Sequence, residues 1–149
     1  MKIKPLNQFH RRTAIRILKS HPESFGKFDA ERDIIHLLAS QMWEVVDDNG
    51  NFMGMFGLNR FDKKESNFAE IVFANCYVLK KYRHKGVFNA MIEFAKKETI
   101  KEREELKKWV YLTLCCEKNN KLAYDIYNRK FEFECYNKKD KIYWWTIKC

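Results

Sequence analysis

Two rhythms of apolar residues alternate along this chain. The first is helical. Phe9, Ala14, Ile15, Ile17 and Leu18 predict a helix over 9–18. His21-Pro22 ends it, because the residue before proline avoids the helical region. Ile34, Ile35, Leu37 and Leu38 predict a second helix over about 29–40, with Asp29 as its N-cap. The second rhythm is that of strands. Residues 2–5 (KIKP) form a short one. Two apolar runs, 42–46 and 52–59, flank Asp48-Asn49-Gly50-Asn51 and read as a hairpin, since Asn and Gly both tolerate positive φ. The polar stretch 62–67 is a turn. A strand over 68–79 follows, then a long helix over 86–106 and a strand over 109–116. A short helix over 120–129 precedes two last strands, 131–136 and 142–148, joined by NKKDK.

The order β-α-α-β-β-β-α-β-α-β-β defines an α+β fold with a mixed, largely antiparallel sheet flanked by helices. Strand 68–79, helix 86–106 and strand 109–116 read as a parallel crossover unit. No repeat and no linker divides the 149 residues, so 1–149 is expected to be a single domain.

Composition narrows the class. Hydrophobic residues make up 46% and aromatic residues 15%, enough for a packed core. No apolar run reaches the ~18 residues of a membrane span, and the N-terminal MKIKPLNQFHRR lacks a signal-peptide core. A soluble, cytoplasmic protein is expected. The five cysteines, Cys76, Cys115, Cys116, Cys135 and Cys149, form no C-x-x-C pair and read as reduced thiols rather than a zinc site. No metal is expected, and His10, His21 and His36 have no metal-ligand company. The net charge of +9 favours an acidic partner. Lysines spread along the chain argue against nucleic acid.

One stretch concentrates charge where a strand becomes a helix: YVLKKYRHKGVFNAMIEFAKKE, residues 77–98. Lys80, Lys81, Arg83, His84 and Lys85 precede a lone Gly86. Neither a P-loop nor a G-x-G-x-x-G fingerprint is present. What remains is a basic loop opening a long helix. The first helical amides have no internal partner and lie at the positive end of the helix dipole, which suits a phosphate. A solvated basic turn is the plainer reading of the same residues.

Val78, then Arg83 five residues on, then Gly86, resembles motif A of the GNAT superfamily of N-acetyltransferases, [QR]-x-x-G-x-[GA], placed between a strand and a helix. Asn120, Ala123 and Tyr127 reproduce that family's N-x-x-A-x-x-x-Y, and the element order is also similar to it. The resemblance implies acetyl-CoA as co-substrate. Cys76, Tyr77 and Val78 would pair through their backbone with the pantetheine amides. His84, Lys85, Gly86, Val87, Phe88 and Asn89 would wrap the pyrophosphate, with Arg83 adding charge. Asn120 would contact the CoA arm, and Tyr127 would be the general acid. Two positions depart from the family pattern: Phe88 stands where motif A has Gly or Ala, and YNRKFEF lacks the glycine usual after the tyrosine.

The implied reaction is acetylation of a primary amine on a small molecule or protein. It needs a base for the ammonium, a polarised carbonyl and an acid for the departing thiolate. A tyrosine with pKa ~10 suits the last role. Glu70, in FAEIVF, resembles the catalytic glutamate of the histone-acetyltransferase branch, displaced by two residues. Two residues keep the strand face but move the carboxylate by ~7 Å. Glu117 and water are the other bases considered. A CoA-binding module without catalysis is the alternative function, and a homodimer is compatible with either.

Overall fold

The computed structural model describes residues 1–25, 34, 37–38, 41–117, 120–130, 134–137 and 142–148. For 115, 117, 130 and everything from 134 onward, only the backbone is described. The elements are β1 (Lys2–Pro5), α1 (Gln8–Ser20), α2 (Pro22–Phe25), β2 (Met42–Val46), β3 (Phe52–Asp62), β4 (Phe68–Val78), a 3₁₀ turn (Lys80–Tyr82), α3 (Val87–Leu106), β5 (Trp109–Glu117), α4 (Lys121–Lys130), β6 (Glu134–Asn137) and β7 (Ile142–Lys148). The α+β class read from the sequence holds. Most of the expected helix over 29–40 lies outside the described residues; Ile34, Leu37 and Leu38 are helical. The proline expected only to stop α1 also opens α2, at the first helical position where its missing N–H costs nothing.

The chain forms two compact units, Met1–Asn59 with Ala74–Ala95, and Arg60–Phe73 with Lys96–Cys149. In the first, β1 pairs antiparallel with β2, and β2 with β3. Gly54 lies against Tyr77 and Gly57 against Ala74, so β3 and the end of β4 run in opposite directions. Residues 52–58 of β3 are all buried, which explains why their apolar run does not alternate. Met42, Phe52 and Met55 face Ala14, Ile17 and Leu18 of α1, together with Ile34 and Leu38. On the other face Trp43 and Phe56 pack their rings on Phe94 of α3, at 4.7 and 5.9 Å between centroids.

The β2–β3 hairpin closes as read, but not through two left-handed residues. Gly50 alone of the Asn49-Gly50 pair has positive φ, at 83°. Gly50 N–H donates to Asp47 O at 3.0 Å, and a register shift follows at Val45/Val46. This is a tight turn ending in a left-handed glycine with a bulge. Asp47 organises it by accepting from the N–H of Asn49, the N–H of Asn51 and the Asn51 side-chain amide, each at 2.9 Å.

A polar network that no motif announced docks α1 on β2. Glu44 is fully buried. Its carboxylate accepts from Asn7 Nδ2 at 2.9 Å and from Asn7 N–H at 3.3 Å, and it meets His10 Nδ1 at 2.8 Å. Lys4 Nζ lies 3.5 Å away. Asn7 is also the N-cap of α1, accepting from His10 N–H at 3.0 Å. One carboxylate therefore fixes both the cap and the first turn of the helix.

In the second unit the start of β4 pairs parallel with β5, from Phe68↔Trp109 to Phe73↔Leu114. β5 pairs antiparallel with β7, and β7 with β6. Ala69, Ile71 and Phe73 of β4 alternate with more exposed neighbours and give a dry face, whereas on β5 Thr113 is buried together with Val110, Leu112 and Leu114. Arg60, near the end of β3, binds Glu98 and Glu102 of α3 at 2.9 and 3.2 Å.

Burial makes Glu44 the most sensitive polar position of the first unit. Glu44→Ala would strand the Asn7 and His10 donors in the core, and chemical denaturation should show a loss of about 3 kcal/mol. Glu44→Leu should fare no better, since the same donors stay unpaired.

Candidate active site

The basic stretch folds as a strand end, a 3₁₀ turn, a loop and a helix start, all within the first unit. β4 ends at Val78. Leu79 N–H donates to Met53 O of β3 at 3.0 Å, and Tyr82 N–H donates to Leu79 O at 2.8 Å. His84 and Gly86 then take left-handed conformations, φ 61° and 78°. Gly86 is not the first helical residue, as the sequence suggested, but the cap. Its carbonyl accepts from Ala90 N–H at 3.0 Å and opens the intrahelical ladder. The amides of Val87, Phe88 and Asn89 belong to the first turn, which no intrahelical bond can satisfy. That turn contains no acidic residue. A β-carbon on Gly86 would meet nothing within 4 Å. The glycine is therefore required by φ, and the space its side chain would take is open.

The side chains of this stretch divide their work. Val87 is buried and anchors the helix, Phe88 is half-buried, and Asn89 is exposed. Arg83 turns back on the strand. Its Nε donates to Val78 O at 3.2 Å, and its guanidinium lies 5.7 Å from the Tyr77 ring centroid. Lys81 and Lys85 flank the Tyr82 ring at 4.7 and 5.8 Å. Tyr82 Oη donates to Asp47 at 3.4 Å, a long bond that ties the loop to the β2–β3 turn. The Asp47 carboxyl is held below the usual range, first by the Asn51 side-chain amide, then by the backbone of Asn51, with Tyr82 contributing.

The end of β4 is shaped by two features that the sequence did not reveal. Asn75 has φ 52° inside the strand, two residues after the last registered pair with β5. Asparagine is among the few residues that accept this conformation, and a single such residue kinks a strand locally. Gly54 of β3 sits so close that a β-carbon there would lie 2.5 Å from Tyr77 O and 2.8 Å from Met91 Cε. Cys76 Sγ is 3.6 Å from Met91 Sδ, and burial pushes the thiol's pKa up, so it stays protonated.

The remaining candidates lie in the second unit. Glu70 is half-buried on β4, in register with Tyr111. Asn120 caps α4: its side-chain oxygen accepts from Ala123 N–H at 3.2 Å, and its carbonyl accepts from Tyr124 N–H at 3.1 Å. The Asn-to-Ala spacing of the motif is thus cap to third helical residue. Tyr127, one turn beyond Ala123, is buried, with 8% of its surface exposed. The Glu117 side chain lies outside the described residues. So do those of Trp144 and Trp145, whereas Trp43 is packed on Phe94. Among the described residues no group of His, Cys, Asp and Glu is arranged to hold a metal. No helix there is long and apolar enough to cross a membrane.

A strand thus leads through a left-handed glycine into the first turn of a long helix. The sequence model described as the acetyltransferase (GNAT) family matches residues 9–133, and the chain belongs to that family. No curated relative matches the chain. Among solved structures, Arabidopsis thaliana Naa50 in complex with the bisubstrate analogue CoA-Ac-MVNAL superposes with a TM-score of 0.71 at 16% identity, covering 98% of this chain and 97% of that one. Spermidine N-acetyltransferase from Vibrio cholerae in complex with CoA and spermine gives 0.70 at 13% identity, covering 99% and 94%. Arabidopsis thaliana NAA60 in complex with acetyl-CoA gives 0.65 at 15% identity, covering 99% and 97%. These likenesses establish the shared fold.

Two outcomes follow for the loop and its supports. Gly54→Val must displace the Tyr77–Val78 backbone or α3, and a thermal melt should show destabilisation of roughly 2–3 kcal/mol. Asp47→Ala should destabilise at neutral pH. Because the folded pKa of Asp47 is depressed, its contribution is complete above about pH 4 and is lost as pH falls through the folded value. The gap between wild type and Asp47→Ala, followed by denaturation from pH 7 to pH 2, should therefore close on the acid side.

Proposed function

We propose that this chain, with residues 1–149 working as one domain, transfers the acetyl group of acetyl-CoA to a primary amine. The observation that carries the reading is the start of α3: three first-turn amides, no acidic side chain among them, and before them a left-handed glycine with open space where a side chain would stand. A pyrophosphate suits this donor set, and Lys85 and His84 add exposed groups beside it. The backbone of Cys76, Tyr77 and Val78 lies beyond the registered β4–β5 ladder, as a pantetheine partner must. Asn120 is assigned to the CoA arm through its side-chain NH₂, since capping uses only its oxygen.

In the reaction the neutral amine attacks the thioester carbonyl, and the C–S bond breaks as the thiolate leaves. A β4 amide polarises the carbonyl, Tyr127 protonates the thiolate, and Glu70 takes the amine proton directly or through water. Peptide termini and polyamines, the acceptors bound by related structures, are the two acceptor classes to try first. A second reading, a CoA-binding module without turnover, is favoured by the burial of Tyr127, which packing alone explains.

The two readings separate in one assay of thiol release from acetyl-CoA across peptide and polyamine acceptors. Turnover that falls roughly 10²-fold or more in Tyr127→Phe is the outcome expected of an enzyme. CoA binding without turnover on any acceptor sinks the enzyme reading. Gly86→Asp should weaken CoA binding by roughly tenfold or more, by charge repulsion at the amides and strain at a left-handed position, with a thermal melt showing that the chain still folds. CoA affinity equal to wild type in that variant would place the anion site elsewhere.

A further inference from the structure

A basic cleft lies where α3 ends. Residues 64–67, the turn before β4, and Arg103, Lys107, Lys108 and Trp109, between the last turn of α3 and the start of β5, line a cleft of about 580 Å³. That size suits a small organic ligand. Four cations line it: Lys64, Arg103, Lys107 and Lys108. Lys108 is already neutralised, with Nζ 2.8 Å from Asp62 Oδ1. Lys64, Arg103 and Lys107 have no acidic partner among the described residues, and Glu65 is the only acid in the lining. The wall is completed by Trp109, which keeps 51% of its surface exposed.

Helix capping explains part of this. Lys107 N–H donates to Arg103 O at 2.9 Å, with Lys107 left-handed at φ 54°, and cations suit the negative end of a helix. Capping does not call for Lys64, which comes from another turn, nor for a half-exposed indole beside three uncompensated charges. The geometry points to a site for a nucleoside phosphate: a planar base stacked on Trp109 and phosphate oxygens among Lys64, Arg103 and Lys107. A bare phosphate would not reach the exposed face of the indole, and a bare nucleoside would not engage the cations. This site follows the C-terminus of α3, whereas the loop proposed for CoA precedes its N-terminus. The two proposals stand on different residues.

Calorimetric titration of the full chain with ADP, adenosine and inorganic phosphate at low salt tests this. ADP should bind, adenosine and phosphate each more weakly, and ADP binding should fall at least tenfold in Arg103→Glu and in Trp109→Ala. Lys64→Glu, on an exposed turn, should lower it as well and carries little risk to folding. Gly86→Asp should leave ADP binding at this site unchanged. Absence of ADP binding, equal binding in wild type and all three cleft variants, or loss only in Gly86→Asp would each overturn the proposal.

Discussion

Both ends of the basic loop are pinned against one glycine. At Gly54, β3 approaches the end of β4 and the first half of α3 so closely that a methyl group has no room. Tyr77 and Val78, the last residues before the loop, and Met91, in the second turn after it, meet there. The Leu79 N–H then donates to Met53 O of β3. A loop whose two ends are fixed has few conformations left, so the left-handed residues His84 and Gly86 do not have to be ordered by a ligand. The cost of holding the amides in place falls on folding, and a ligand arriving at them loses less to reorganisation.

The electrostatics of the loop rest more on backbone than on side chains. The charges of 80–85 invite the idea that they hold the anion directly. Arg83 instead caps the carbonyl of Val78 and covers Tyr77, while Lys81 and Lys85 flank Tyr82. Their fields still favour an anion, but exposed side chains in water contribute weakly beyond a Debye length of ~8 Å. The first-turn amides are directional and fixed. The side chains accordingly act first as braces for the loop and second as a diffuse positive field.

Residue order alone revealed the element types, because helix-like apolar spacings and short apolar runs of strand length are set apart by polar turns, and because Gly50, Gly86 and Asn120 each mark a terminus that only a few residues can make. It misjudged details where the local signal is degenerate. Gly86 belongs outside the helix because a cap and a first residue look alike in sequence. Asn49 is not left-handed because a turn-plus-bulge closes the same hairpin. The Glu44 network was illegible for another reason: its partners lie 34 and 37 positions away, and nothing in MWEVV distinguishes a buried carboxylate from a solvated one. The positive φ of Asn75 was equally hidden, since an asparagine in an apolar strand has no unique reading. The α3-end cleft likewise gathers residues about 40 positions apart that share no spacing rule.

The second motif shows how structure and chemistry can occupy the same residues. Asn120 at the cap, Ala123 at the third helical position and Tyr127 one turn later would form a stable helix start with one buried aromatic in any protein. The spacing is therefore what helix geometry requires before any chemistry is asked of it. What helix geometry does not require is the hydroxyl. A phenylalanine would satisfy the burial of position 127 equally well, and a buried phenol must find a polar partner or lose stability. Tyr127 does engage a neighbour. The hydroxyl is what the proposed acid role draws on in this helix start.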